Sequence, residues 1–116
     1  MKDMIHHPDH YTQAGVMLEP IDVLRFAPFD LGNCLKYILR AGHKNNKLED
    51  LEKAERYLEW AMESNLRNPE PYNTFLNHYG SLLVKFEAFK ELQQTWSFWK
   101  FANGLAKIIE MKKGEE

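Results

Sequence analysis

Four basic residues, Lys36, Arg40, Lys44 and Lys47, fall between Leu31 and Leu48 with no acidic residue among them. Asn33, Lys36, Tyr37 and Arg40 recur at helical spacing, which sets their side chains on one face of a helix. Lys44 and Asn45 follow just past the end of that helix, and Asp50, Lys53 and Tyr57 repeat the spacing on the next one. Arginine offers a rigid fork to phosphate oxygens and lysine a mobile point charge. Asparagine both donates and accepts, which suits a base edge or a ribose. Tyrosine supplies a ring to stack on. Together these residue types make a pocket for a nucleotide-like anion. Lys36 and Arg40 would contact phosphate, and Tyr11, Tyr37 or Tyr57 would stack on a base. Asn33 or Asn45 would read polar edges. A merely solvated polar face would use the same residue types.

A second cluster lies in the N-terminal arm, where His6, His7 and His10 surround Asp9. Histidine titrates near neutrality, so a general base is conceivable there. His7 and His10 would equally fold the arm over the pocket. Metal ligation needs converging ligands at fixed spacing, and neither His-Glu-x-x-His nor a cysteine pair is present, so no metal is expected. The single cysteine, Cys34, excludes an internal disulfide and falls on an apolar stripe, where it belongs to the core. No Gly-rich phosphate loop occurs, so any phosphate site must be built from side chains and helix ends.

These residues need helices to position them. The pattern predicts a short helix over residues 20–26, started by Pro20. A second is expected over 30–42, capped by Asp30 and ended at Gly42, with Leu31, Cys34, Leu35, Ile38 and Leu39 as its apolar stripe. Asn33, Lys36, Tyr37 and Arg40 lie opposite that stripe. A third helix is expected over 48–66, with Leu48, Leu51, Ala54, Leu58, Ala61, Met62 and Leu66 inward and a Glu52–Arg56 pair outward. Pro69 and Pro71 end it. Residues 72–116 read as one broken helix or two consecutive ones. The class is all-α: a small helical domain over 1–67 with an irregular arm, and an aromatic-rich helical extension over 68–116.

The apolar belt from Trp96 to Ile109 is wider than a small core needs, which predicts a homo-oligomer. The chain has 116 residues, 44% hydrophobic and 28% charged, with a net charge of -2. That balance argues against a long nucleic acid held by bulk charge. No apolar run is long enough for a membrane span, and no apolar leader opens the sequence, so a cytoplasmic setting is expected.

Three blocks together resemble a known family. They are His7-Pro8-Asp9-His10-Tyr11, then Gly32-Asn33-Cys34-Leu35-Lys36-Tyr37-Ile38-Leu39-Arg40-Ala41-Gly42-His43-Lys44-Asn45, then Glu49-Asp50-Leu51-Glu52-Lys53-Ala54-Glu55-Arg56-Tyr57-Leu58. Over residues 6–62 the chain is similar to a small phage domain of unassigned function. That domain is often labelled "nucleotide kinase" after its likeness to part of a phage nucleoside-monophosphate kinase that lacks a P-loop. Residues 72–116 have no counterpart in it. The resemblance implies a phage or prophage origin, a bacterial host cytoplasm, and a nucleotide pocket. The expected pocket set is His7, His10, Tyr11, Asn33, Lys36, Tyr37, Arg40, Lys44, Asn45, Asp50, Lys53 and Tyr57.

Three functions fit the sequence. The first is a protein that binds a nucleotide-like phosphate ligand without turnover and sequesters a nucleotide signal of bacterial defence. It needs no cofactor. The second is a nucleoside-monophosphate kinase, in which Asp50 or Asp22 would hold Mg²⁺. The third is an interaction module that docks a host protein through Trp96 and Trp99.

Overall fold

The computed structural model describes residues 18–43, 46–92 and 97–115, and among these every regular element is helical. The order is α1 (Pro20–Leu24), α2 (Phe29–Arg40), α3 (Lys47–Arg67), α4 (Glu70–Leu83), a 3-10 turn (Glu87–Phe89) and α5 (Phe98–Lys113). None of these helices is long and apolar enough to cross a membrane.

Local chemistry explains most boundaries. Pro20 opens α1, where its missing N–H costs nothing. Gly42 has a φ of 88° just past α2, the left-handed conformation that stops a helix without a Cβ clash. The Asn46 side chain accepts a 3.0 Å hydrogen bond from Glu49 N and so caps α3. Pro69 and Pro71 end α3 and also open α4, because proline is tolerated in a first turn.

Asp30 does something other than cap. Pro28 is the N-cap of α2. The Asp30 carboxylate accepts from Leu31 N at 2.8 Å and from the Tyr72 hydroxyl at 2.8 Å, tying α2 to α4.

The stripe of α3 also departs from expectation. Leu51, Ala54, Leu58 and Ala61 are buried, but Leu48 is 52% and Leu66 70% exposed, while Asp50 and Asn65 are buried instead. At about 100° per residue, Leu48 and Leu66 share a direction roughly 110° from the centre of the buried stripe, and Asn65 lies near that centre. Arg56 pairs with Glu59 at 3.8 Å rather than with Glu52.

One hydrophobic cluster runs through residues on both sides of Pro69. Helix α3 is its axis, packed by α2 on one side and α5 on another. Phe98, Phe101, Ala102, Leu105, Ile108 and Ile109 of α5 are all buried. A Cβ at Gly104 would stand 2.5 Å from the Leu92 side chain, so α5 is also pressed against the segment before it. The wide belt that suggested self-association is therefore used largely inside the chain. Of its tryptophans, Trp99 is 40% exposed and Trp96 lies outside the described residues.

The far end of α5 clamps the α2–α3 hairpin. Lys112 Nζ donates to Ile38 O at 3.2 Å, satisfying a carbonyl in the last turn of α2. Partial burial pulls the Lys112 ammonium below its ordinary pKa. Lys47 Nζ donates to Glu115 O at 2.7 Å, and Lys113 pairs with Glu55 at 2.8 Å.

Candidate functional site

Helices α2 and α3 run antiparallel, because contacts that advance along α2 retreat along α3. Phe29 meets Tyr57, Tyr37 meets Tyr57 and Lys53, and Arg40 meets Asp50. This register brings the two polar sets onto one outer face. Tyr37, half-buried, stacks on Tyr57 with centroids 6.0 Å apart and planes 12° from parallel. Three cations surround the Tyr37 ring: Lys36 Nζ at 4.4 Å, Lys53 Nζ at 5.4 Å and Arg40 Cζ at 5.5 Å from its centroid.

The ring quadrupole attracts each cation by about 1 kcal/mol or less at an exposed site. It cannot neutralise them. Their distances to one centroid keep every pair within about 11 Å, and salt screens such exposed charges over a Debye length of about 8 Å, so the repulsion is strongest at low salt. Arg40 has a counter-charge in Asp50, 3.5 Å from its Nε. Among the described residues, Lys36 and Lys53 have no carboxylate within salt-bridge distance. The face therefore carries local excess positive charge on a chain whose total is negative.

Aromatic surface continues outward from Tyr57. Phe29 and Trp60 both meet its ring edge-on, at 6.2 and 5.3 Å. They are 78% and 46% exposed, and Arg56 lies 5.6 Å from the Trp60 ring. On the α1 side a groove of about 440 Å³ is lined by Pro20, Ile21, Leu24, Phe29, Asn33 and Lys36. The groove thus shares Lys36 with the cation cluster and Phe29 with the aromatic surface. Asn33 Nδ2 donates to Phe29 O at 2.9 Å, which orients the amide; among the described residues its Oδ1 accepts no hydrogen bond. A larger groove of about 620 Å³ lies between the α1–α2 link and α4. It is walled by stacked Phe26, Phe75 and Tyr79 and holds no comparable cation cluster.

The structure therefore brings Asn33, Lys36, Tyr37, Arg40, Lys53 and Tyr57 together. Asp50 belongs beneath the face: it is fully buried and meets the set only through Arg40. His7, His10, Tyr11, Lys44 and Asn45 lie outside the described residues. Asp22, the other acid considered for Mg²⁺, accepts from Glu19 N at 2.9 Å and caps α1. Cys34 is buried, and burial together with the nearby Asp30 charge pushes its thiol up to about 12, so it is no nucleophile at neutral pH.

Sequence reasoning missed Phe29 and Trp60. Helical spacing was the available signal: Phe29 precedes Asn33 by one turn, and Trp60 follows Tyr57 by one turn.

Residues 5–59 match a family described as a protein of unknown function (DUF3310). The match covers just under half the chain. It takes in α1, α2 and over half of α3, and so every residue of the Tyr37 cluster, while Trp60 lies one position beyond it. The family description carries no kinase label and no activity. No curated protein and no solved structure matches the chain.

Proposed function

We propose that the outer face of α2 and α3 binds a nucleotide-like phosphate ligand and releases it unchanged. The observation that carries this reading is the convergence of Lys36, Lys53 and Arg40 around the single Tyr37 ring. Two of these cations lack a carboxylate partner among the described residues, so an anion between them relieves repulsion that the fold otherwise bears. Exposed Phe29 and Trp60 offer faces for a base, and Asn33 Oδ1 offers an acceptor for a base or ribose donor.

Binding fits these residues better than phosphoryl transfer does. Transfer requires a second substrate in line and Mg²⁺ on accessible carboxylates. Asp50 is enclosed, and Asp22 is engaged at the start of α1. In the phage setting that the resemblance implies, such a protein is a sink for a nucleotide signal of bacterial defence.

The test is a thermal-shift panel of mononucleotides, cyclic nucleotides and ADP-ribose derivatives, followed by denaturation and chromatography of the released ligand. A shift with intact ligand recovered supports the reading. Lys36→Ala and Lys53→Ala should each weaken binding roughly tenfold, the scale of one charge-assisted hydrogen bond. Formation of a diphosphate from a monophosphate with ATP and Mg²⁺ would instead establish the kinase. No shift across the panel removes the ligand site altogether.

A further inference from the structure

The Asp50 carboxylate is fully buried, and among the described residues neither oxygen makes a hydrogen bond. Its ionic contact is Arg40 Nε at 3.5 Å. Burying a carboxylate is unfavourable unless a partner compensates it, and a neutral side chain of the same size would fill this space at less cost. Arg40 Nε is itself buried and, among the described residues, makes no hydrogen bond, so charge alone draws it toward Asp50; the Arg40 side chain is 33% exposed, so its exposed part lies away from that contact. The guanidinium is planar, with its five N–H donors in a fixed fork. Once Nε is drawn inward, the plane can turn little, and the Tyr37 ring 5.5 Å from Cζ limits it further. Asp50 is in turn anchored at the start of α3, where its N–H donates to the Asn46 carbonyl at 3.1 Å.

We propose that Asp50 is a positioning residue: from beneath the face it holds the Arg40 fork with its terminal nitrogens turned toward a phosphate, and it touches no ligand itself. This rests on the phosphate-site reading above and gives Asp50 a role different from pocket wall or Mg²⁺ ligand. Coulomb's law and positioning predict opposite signs here. Removing a negative charge close to an anion site should tighten anion binding. Removing the group that aims the fork should weaken it.

The experiment is isothermal titration of inorganic pyrophosphate into the full chain, with Asp50→Asn and Arg40→Lys as variants. Asp50→Asn keeps the shape and removes a buried charge, and circular dichroism checks that it folds. The expected result is roughly tenfold weaker binding by Asp50→Asn despite the lost negative charge, the scale of one misaimed charge-assisted contact. Arg40→Lys keeps the charge and loses the fork, and should lose as much. In parallel, the Arg40 Nε–H proton should exchange slowly with solvent in the wild type and quickly in Asp50→Asn. Binding by Asp50→Asn that equals or exceeds the wild type would overturn the inference and leave the phosphate site standing. If Asp50→Asn fails to fold, Arg40→Lys decides, and unchanged binding by it overturns the inference. No pyrophosphate binding by the wild type overturns the site and this inference together.

Discussion

Tyr37 and Tyr72 use the same side chain in opposite ways. Tyr72, on α4, is 4% exposed. Its hydroxyl donates to both Asp30 oxygens, at 2.8 and 3.1 Å, and its ring meets Phe98 edge-on at 5.1 Å. Every part of it is used within the chain. Tyr37, on α2, is half-buried and surrounded by cations rather than by a carboxylate. Among the described residues, Lys36 and Lys53 beside it have no carboxylate partner. The difference teaches where to look for function in a small helical chain: a polar aromatic whose neighbours compensate one another is structural, and one whose neighbours repel one another is where a ligand is worth testing.

Four substitutions and one condition sharpen this contrast, taken from the largest expected effect down. Phe98→Ala removes a buried ring beside Tyr72 and should cost about 3–5 kcal/mol in urea unfolding, with no effect on ligand affinity beyond the loss of folded protein. Tyr72→Phe deletes the bond to Asp30, which keeps its contact with Leu31 N. A loss of about 1–2 kcal/mol is expected in the same measurement.

The pH profile of unfolding carries a signature of the same bond. Burial and the hydrogen bond to Asp30 raise the Tyr72 phenol from 10.0 to about 12. A raised folded-state pKa gives stability that is present below the unfolded value and lost as pH climbs through the folded one. The wild type should therefore lose stability between pH 10 and 12. Cys34, raised from 9.0 to about 12, adds a loss of the same sign. The difference between the wild type and Tyr72→Phe isolates the tyrosine. Identical slopes for the two proteins would show that Tyr72 is not held as described.

At Tyr37 the pattern should invert. Tyr37→Leu should change unfolding stability by no more than about 1 kcal/mol, as for a half-exposed position, yet weaken phosphate binding several-fold by removing the ring that gathers the cations. Tyr37→Phe keeps the ring and should do neither, the smallest effect of the set. A large destabilisation by Tyr37→Leu with unchanged binding would make Tyr37 a second Tyr72 and erase the contrast.

The helices were legible in the sequence because their signals are local. Pro20, Gly42 and the prolines at 69 and 71 act on their own backbone, and the boundaries they imply agree with the structure to within a residue or two. The polar set on α2 was legible for the same reason: spacing alone puts Asn33, Lys36, Tyr37 and Arg40 on one face. Asp30 was misread as a cap because its true partner, Tyr72, is 42 residues away. Leu48 and Leu66 were misread as core because periodicity says which residues share a face but not how wide the covered arc is. That Asp50 is buried behind Arg40 was not legible, because burial depends on how α2 packs on α3 rather than on spacing along one helix.

Residue chemistry along the chain therefore decided that this protein is helical, and that cations and tyrosines share the faces of α2 and α3, since both follow from contacts within a few residues. The antiparallel register of α2 and α3 decided the rest. It adds Lys53 to the two cations that α2 already sets beside Tyr37, sinks Asp50 below Arg40, and joins the exposed Phe29 to the surface of Tyr57 and Trp60. The contacts of Lys53 with Tyr37, Asp50 with Arg40 and Phe29 with Tyr57 join residues on different helices, and their geometry comes from how the buried stripes of α2, α3 and α5 fit together, which no single stretch of sequence encodes.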